Sequence, residues 1–299
     1  EKGSRKVEEK KSKRVGMGRS KVKREILSYF PTLILFTVNG SEGMKKFFEF
    51  LGKWAIYILE RMGEVVILFF RTLSSIVKPP LDLKNIINQM VEIGIRSFPV
   101  VSLVALCIGM VSALQGGHAA KLVETMGLVA GGVALGITRE LGPVLTALML
   151  AGRVGAGITA EIGTMKVTEQ IDALETLATN PIKYLAVPRF IAGVIMTPML
   201  TIYANAIGIA GGYFIGVHKL GIGSRQYIEG TIEVLSTDAL FSGLIKAVVF
   251  GAIVVIIGCY QGFRTRGGAE GVGRATTISV VTSCVMILAA DYFLTAALF

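Results

Sequence analysis

Long apolar runs dominate the hydrophobic pattern of this sequence. From Phe190 to Val217, 28 consecutive residues include no Asp, Glu, Lys or Arg, and the last 25 residues of the chain include only Asp291. A helix crosses the core of a bilayer with about 20 apolar residues, so these runs predict membrane-spanning helices. We therefore predict an all-α membrane protein with five transmembrane helices. The predicted spans are residues 97–115, 123–150, 184–217, 239–263 and 275–299.

The segments around these spans carry further signals. The pair Gly116-Gly117 predicts a turn after the first span, and residues 153–183 form a polar segment that can be helical. Pro188 and Pro198 predict a tilt or bend in the long third span. A short connection precedes the fourth span. The charged residues of that connection are Arg225, Glu229, Glu233 and Asp238.

Residues 45–77 are apolar but are interrupted by charges at helical spacing. On a helix these charges fall within a stripe of about 60°. A spanning helix would carry the stripe through hydrocarbon, whereas a helix in the membrane interface keeps it in water. We predict an interfacial amphipathic helix that ends at Lys78-Pro79-Pro80; packing against the rest of the protein is a compatible alternative. The stripe consists of Lys46, Glu49, Lys53, Glu60, Glu64 and Arg71.

Composition and charge agree with a membrane protein. The chain is 52% hydrophobic and 17% charged, whereas soluble domains carry about 25% charged residues, which excludes an ordinary water-soluble enzyme. Residues 1–25 hold 11 Lys and Arg against 4 Glu, out of a net charge of +10. No aromatic residue precedes Tyr29, so this region lacks the stacking groups of a nucleic-acid interface. We expect residues 1–44 to form a basic, disordered arm and residues 45–299 to form the membrane domain.

The distribution of basic residues predicts the orientation. Lys and Arg are enriched in cytoplasmic loops, which places the N-terminus in the cytoplasm and Phe299 outside. The side predicted to be cytoplasmic carries Arg153, Lys166, Lys183, Arg189, Arg264, Arg266 and Arg274, and the opposite loops carry Lys121, Lys219 and Arg225.

The chain lacks the motifs of common catalytic and cofactor sites. No phosphate-binding loop, nucleophile elbow or H-E-x-x-H zinc motif is present. The glycine-rich run at 152–157 follows a predicted span and lacks a βαβ setting. The three cysteines lie in apolar spans and the two histidines are isolated, which predicts neither a metal nor a cofactor. We expect no catalytic residues here and no ATP hydrolysis by this chain alone.

Two charged residues lie well inside the second predicted span. Ionisable groups at membrane depth cost about 2.5–3.5 kcal/mol each on insertion scales, so Arg139 and Glu140 should face a cavity or a partner. Adjacent helical positions point about 100° apart, so each residue needs a partner on another helix or contact with water. Two interpretations remain open: a polar lining that meets a charged headgroup, or a buried ion-pair anchor beside a kink at Pro143.

Residues 161–175 contain a short amphipathic helical pattern that Asn180-Pro181 ends. Such a helix suits a groove on a cytoplasmic partner; the alternative is a surface helix that packs on the bundle itself. Its acidic positions are Glu169, Asp172 and Glu175, and its apolar positions are Ile171, Leu174 and Leu177.

Glycines recur at four-residue spacing inside the spans. Such faces let helix backbones approach closely in lipid, which indicates a compact bundle and favours a dimer. The pairs are Gly127/Gly131, Gly132/Gly136, Gly208/Gly212 and Gly212/Gly216.

An ordered series of motifs resembles the MlaE family of permeases, the membrane subunits of Mce-type ABC lipid transporters. The likeness covers roughly residues 45–299 and is most specific in the ungapped stretch 139–190. The motifs are I-G-M-V (108–111), L-Q-G (114–116), R-E-L-G-P (139–143), A-G-R-V-G-A-G (151–157), T-A-E-I-G (159–163), T-E-Q-I (168–171), P-R-F (188–190), G-R-A-T-T (273–277) and D-Y-F-L-T-A (291–296).

The resemblance implies a homodimeric permease of the bacterial inner membrane. Its implied partners are a cytoplasmic ABC ATPase, a periplasmic MCE-domain protein that forms a hexameric ring, and often a small STAS-domain protein. Its implied cargo is phospholipid or a related lipid, moved between the inner membrane and the outer envelope.

The resemblance also implies roles for individual residues. The family's arginine–glutamate pair lies by the lipid cavity, so Arg139 and Glu140 are the expected substrate-binding residues, with Gln115 as a weaker candidate. A cytoplasmic coupling helix that docks on the ATPase is expected at the acidic pattern. Its expected residues are Thr168, Glu169, Gln170, Ile171, Asp172 and Leu174.

Two alternatives of other classes remain at this point. An autonomous secondary transporter or channel would use Arg139, Glu140 and Asp291 as an ion relay, although no convincing internal repeat supports it. A structural membrane scaffold would explain the glycine faces but not the buried charge.

Overall fold

The computed structural model describes residues 42–77, 82–122 and 128–298. The secondary structure of these ranges is helical, without a strand. In chain order the helices are α1 (Glu42–Ile76), α2 (Leu83–Ile93), α3 (Phe98–Leu122), α4 (Leu128–Gly136), α5 (Gly142–Leu150), α6 (Ala156–Val167), α7 (Gln170–Thr176), α8 (Val187–His218), α9 (Ser224–Val234), α10 (Thr237–Phe263) and α11 (Gly268–Leu298). Wider, π-helical turns occupy Ile137–Leu141, Ala151–Gly155 and Ile182–Ala186.

Five stretches of the described chain are long and apolar enough to cross a membrane, which confirms the predicted fold class. Most extend beyond the predicted bounds, because a helix continues where its hydrophobic run ends; α11, for example, continues past Arg274 to Gly268. The five stretches are Leu83–Ala120, Leu128–Val167, Ile182–His218, Thr237–Phe263 and Gly268–Leu298, and we number them as the first to fifth spans.

Residue contacts divide the chain into two units, Glu1–Glu64 and Val65–Phe299. In the second unit, α8 of the third span packs most extensively against α3 and α10. A Cβ atom added to Gly109 of α3 would lie 1.8 Å from the carbonyl oxygen of Gly208 in α8. The predicted close packing at Gly208 is therefore confirmed. By contrast, a Cβ added to Gly132 or Gly136 meets no atom of the described residues within 4 Å.

The predicted turn at Gly116-Gly117 is wrong, because α3 continues through both residues to Leu122. A Cβ added to Gly117 would lie 2.5 Å from the side chain of Leu220, and Gly116 lies beside Val129. These glycines leave room for neighbouring side chains. Glycine is tolerated inside membrane helices for this reason, so the pair does not end the helix.

The connection before the fourth span contains a helix, α9, that the sequence analysis does not predict. Tyr227 anchors it, since this ring is 1% exposed and packs edge-to-face on Tyr213 with ring centroids 5.6 Å apart. Burial raises the pKa of Tyr227 to about 12. Arg225 and Glu229 lie on the exposed side of α9 and form an ion pair at 2.7 Å.

Helix α1 covers the segment that the charge stripe predicts to be helical. Leu68 and Thr72 are buried, whereas Lys53, Glu60 and Arg71 are exposed. The position of α1 in the membrane interface stays a prediction. The side chains of Lys46 and Glu49, the predicted helix end at Lys78-Pro79-Pro80, the start of the second predicted span at 123–127 and residues 1–41 of the predicted arm lie outside the described residues.

The contact between α3 and α8 predicts a sharp difference between two glycine substitutions. Gly109→Ala drives a methyl group into the Gly208 backbone and should destabilise the protein by about 1–3 kcal/mol, the usual cost of overpacking. Gly157→Ala, in α6, adds a methyl group where no neighbouring atom of the described residues lies within 4 Å and should leave stability unchanged or slightly raised. Thermal melting in mild detergent measures both, and equal melting temperatures would contradict the packing.

Candidate functional site

Arg139 and Glu140 lie on the π-helical turn Ile137–Leu141. Pro143 follows this turn and has no N–H to donate to the carbonyl group of residue 139. The wider turn compensates locally, since the N–H of Gly142 donates to the carbonyl oxygen of Ile137, five residues back. π-Helical turns of this kind are frequent at functional sites. The proline therefore widens the helix where the two charged residues project.

Lys246 of α10 is the partner of Glu140. The Lys246 side chain is 0% exposed, and its Nζ donates to Glu140 Oε2 at 2.5 Å. The same Nζ donates to Thr295 Oγ1 at 2.7 Å and lies 3.1 Å from Asp291 Oδ1. Both Thr295 and Asp291 belong to α11. One ammonium group thus joins the second, fourth and fifth spans.

The formal charges around Lys246 balance. Lys246 faces two carboxylates, of Glu140 and Asp291, and the half-buried Arg139 lies on the same turn as Glu140. The formal charges of these four residues sum to zero. A buried ammonium is stable only when its desolvation is offset by close opposite charge and by hydrogen bonds to all its donors. The Lys246 Nζ makes two hydrogen bonds, to Glu140 Oε2 and Thr295 Oγ1, and an ion pair with Asp291 Oδ1.

Glu140 is the member of this cluster that is most open to its surroundings. Its side chain is 37% exposed, against 22% for Asp291. The next residue, Leu141, lines two apolar cavities. The pairing with Lys246 fits the buried ion-pair interpretation.

The first cavity lies between α3, the π-helical turn, α5 and α8. Val101, Ile108, Leu145 and Met149 are among the apolar side chains that line it. The second cavity lies between α3 and α4 beside Gly132 and Gly136. Gln115 is exposed and adjacent to Gly116 of this second cavity. Within the described residues, Gln115 makes no hydrogen bond to Arg139 or Glu140.

The acidic pattern forms a separate short helix, α7, bounded by two left-handed residues. Glu169 has φ 61° and Ala178 has φ 54°, values that are uncommon for residues other than glycine. Ile171 is 3% exposed and Leu174 is half-buried, and both pack on the core of the second unit. Four polar side chains at the start of α7 are exposed. They are Thr168, Glu169, Gln170 and Asp172, and Asp172 pairs with Lys166 at 2.7 Å.

Two more arginines form ion pairs between helices. Arg189 is 6% exposed and donates to Glu161 at 2.7 Å and to the carbonyl oxygen of Leu185 at 2.8 Å. Arg153, on its own π-helical turn, donates to Ser97 Oγ at 2.5 Å and lies 3.8 Å from the Glu92 carboxylate. In the sequence both arginines are markers of orientation and members of family motifs, and neither pairing is predicted.

Lys246 is the residue that the sequence analysis misses. It is the only charged residue between Ala239 and Phe263, just as Asp291 is the only one in the last predicted span. A lone cation in the fourth span and a lone anion in the fifth are a detectable signal, because each must be neutralised within the membrane. Among the described residues, no three His, Cys, Asp or Glu side chains lie close enough to hold a metal ion.

Five spans, a charge cluster buried between them and apolar cavities at its edge define a membrane transport protein. A family model described as Permease MlaE matches residues 86–297. The chain belongs to this family. It is a permease of an ABC transporter and not itself the ATPase, which removes the autonomous transporter and scaffold alternatives.

Individual relatives agree with this assignment. The chain is 47% identical over 249 residues to a probable ABC transporter permease protein of Rickettsia typhi, covering 83% of this chain and 96% of the relative. It is 40% identical over 235 residues to a similar protein of Synechocystis, covering 79% and 89%. It is 38% identical over 260 residues to the intermembrane phospholipid transport system permease protein MlaE of Haemophilus influenzae, covering 85% and 97%.

The cluster predicts that stability depends strongly on Lys246. Lys246→Met leaves two carboxylates facing each other and should cost about 3 kcal/mol, whereas Arg225→Met breaks an exposed pair and should cost at most about 1 kcal/mol. Adding Glu140→Gln and Asp291→Asn to Lys246→Met should recover part of the loss. Chemical or thermal unfolding in mild detergent measures these differences. Equal losses of stability for Lys246→Met and Arg225→Met would contradict the cluster.

Proposed function

We propose that this chain moves phospholipid, or a related lipid, between the inner membrane and the outer envelope of a bacterium. The observation that carries the proposal is the pair of apolar cavities that meet at Leu141, next to the partly exposed Glu140. Acyl chains need an apolar surface and a headgroup needs polar partners. The Haemophilus influenzae relative is named as a phospholipid transport permease, which supports this cargo.

Arg139, Glu140 and Gln115 are the proposed headgroup contacts. Arg139 and Glu140 share a turn with Leu141, which lines both cavities, and Gln115 is next to Gly116 of the second cavity. Glu140 is held by Lys246 from behind. Its position is therefore fixed before a lipid arrives, which lowers the cost of ordering the site.

We further propose that two copies of the chain form the working permease, together with an ABC ATPase, an MCE-domain hexamer and a STAS-domain protein. The open glycine face of α4, at Gly132 and Gly136, suits contact with a second copy because small residues allow close helix approach. The basic connections favour a cytoplasmic N-terminus in a bacterial inner membrane. The ATPase would then approach the side that carries α7.

Helix α7 is the proposed coupling element. Ile171 and Leu174 fix it to the bundle, and this attachment suits force transmission better than a freely hanging helix would. Thr168, Glu169, Gln170 and Asp172 are then the surface that a docked ATPase touches. The left-handed backbone at Glu169 turns the chain sharply at the start of this surface.

Filling the first cavity tests the cargo proposal. Leu145→Trp places a large ring in the cavity lined by Val101 and Met149, so lipid transfer in vesicles reconstituted with the ATPase and envelope partners should fall about tenfold, as expected for about 1.4 kcal/mol of lost binding. Leu103→Trp is the matched control, because Leu103 is 64% exposed on the same helix bundle. Unchanged transfer by the Leu145 variant, in folded protein, would refute the cavity as the lipid path.

Charge reversal on α7 tests the coupling proposal. Glu169→Lys should reduce the ATPase activity stimulated by the permease and lipid transfer together, by about tenfold if docking loses about 1.4 kcal/mol. Glu169 is cleaner than Asp172 because reversal of Asp172 also breaks its pair with Lys166. Glu233→Lys on α9 is the control for a reversed exposed carboxylate. If the Glu169 variant retains both activities in the assembled complex, α7 does not couple the two subunits.

A further inference from the structure

A polar cleft lies between the C-terminal end of α1, helix α7 and the π-helical turn that begins at Ile182. It shares no lining residue with the two apolar cavities at Leu141. Its lining is mixed in charge, with two cations and one carboxylate among hydroxyl and amide groups. The polar side chains that the argument uses are Arg71, Ser74, Ser75, Lys166, Glu175 and Asn180.

The cleft opens at the edge of an apolar surface. On α1, Phe70, Leu73 and Val77 are 60%, 44% and 79% exposed, and together with Val66 they form a stripe of about 60° along the helix. Leu68 and Thr72, on the opposite side of α1, pack into the protein. Arg71 lies on the boundary between these two faces. A lipid whose acyl chains cover the exposed face would therefore place its headgroup beside Arg71.

The donors of the cleft suit a phosphate group. Arg71 is exposed and has no carboxylate within ion-pair distance among the described residues, and guanidinium groups bind phosphate through paired hydrogen bonds. The Oδ1 of Asn180 accepts from the backbone N–H of Ile182 at 2.9 Å, which leaves the side-chain NH₂ group as a donor. Lys166 adds a second cation, which Asp172 partly neutralises at 2.7 Å.

The acceptors of the cleft suit a primary ammonium group. The hydroxyl groups of Ser74 and Ser75 both donate to the carbonyl oxygen of Arg71, at 3.0 and 2.7 Å, so their oxygens can only accept from a ligand. Glu175 adds an exposed carboxylate. A primary ammonium carries three N–H donors, whereas a quaternary ammonium carries none.

We propose that this cleft binds the headgroup of a membrane lipid that carries both a phosphate and a primary ammonium, as phosphatidylethanolamine does. Arg71 contacts the phosphate, while Glu175 and the two serine oxygens receive the ammonium. The bound lipid joins α1 to the base of α7 from the surrounding leaflet. This site is distinct from the proposed transport path and does not depend on which lipid is carried.

Lipid retention by the full chain tests the proposal. The chain is extracted from vesicles of equal phosphatidylethanolamine, phosphatidylcholine and phosphatidylglycerol, and native mass spectrometry counts the lipids retained on each protein. The wild-type protein should retain phosphatidylethanolamine over the other two, and Arg71→Gln should reduce this retention about tenfold, the effect of losing one charge-assisted hydrogen-bond pair. Arg71→Lys should keep most of it. The transport cavities are the same in all these variants, so a difference in retained lipid between the variants reports on the cleft alone.

Two matched controls sharpen the result. Lys53→Gln removes an exposed cation from the same charge stripe of α1 and should change nothing. Glu175→Gln should abolish the preference for phosphatidylethanolamine over phosphatidylcholine, whereas Glu233→Gln on α9 should not. Melting temperatures in the same detergent confirm that each variant is folded.

Three results would overturn the proposal. One is equal lipid retention by the wild-type and Arg71→Gln proteins. Another is Arg71-dependent binding of soluble O-phosphoethanolamine without preferential retention of the lipid, which would identify a soluble compound as the ligand. The last is an Arg71→Gln protein that retains as much lipid as the wild type but captures less of the ATPase. This result would identify the cleft as a protein-docking surface.

Discussion

The buried ammonium of Lys246 is the constraint on which the arrangement of the spans depends. A charge with no exposed surface must be neutralised locally, and here the oxygens of Glu140, Asp291 and Thr295 all lie within 3.1 Å of its nitrogen. Those oxygens come from two other spans. A shift of any of these helices relative to the others would leave a buried charge without its partner. The cluster therefore fixes the register of the second, fourth and fifth spans.

The rest of the bundle adapts to this cluster through small residues and widened turns. Close contact of Gly109 with Gly208 brings the first span against the third. The π-helical turn before Pro143 orients Glu140 toward Lys246 and places Leu141 between two apolar cavities. Structural charge and apolar space therefore meet at one turn. A lipid with a polar head and apolar chains is the ligand that such a boundary suits best.

Hydropathy alone predicts the five spans, because the cost of exposing polar groups to hydrocarbon leaves a strong signal in sequence. The glycine signal is weaker: Gly208 marks a helix contact, whereas Gly116-Gly117, which also looks like a turn, continues α3. Arg139 and Glu140 stand out because they are charged in an apolar run. Their partner Lys246 is 106 residues from Glu140, and the pairing depends on how the spans pack, which no local pattern contains.

Family membership makes the chain a permease of an ABC transporter, and we propose that lipid binds at the turn that carries Glu140 and that the ATPase docks at α7. The most direct test is affinity purification from native-like membranes in mild detergent, with mass spectrometry of the proteins and lipids that remain bound. This account predicts an ABC ATPase, an MCE-domain protein and phospholipid in the purified complex. Recovery of the chain as an oligomer with no ATPase and no phospholipid would contradict it.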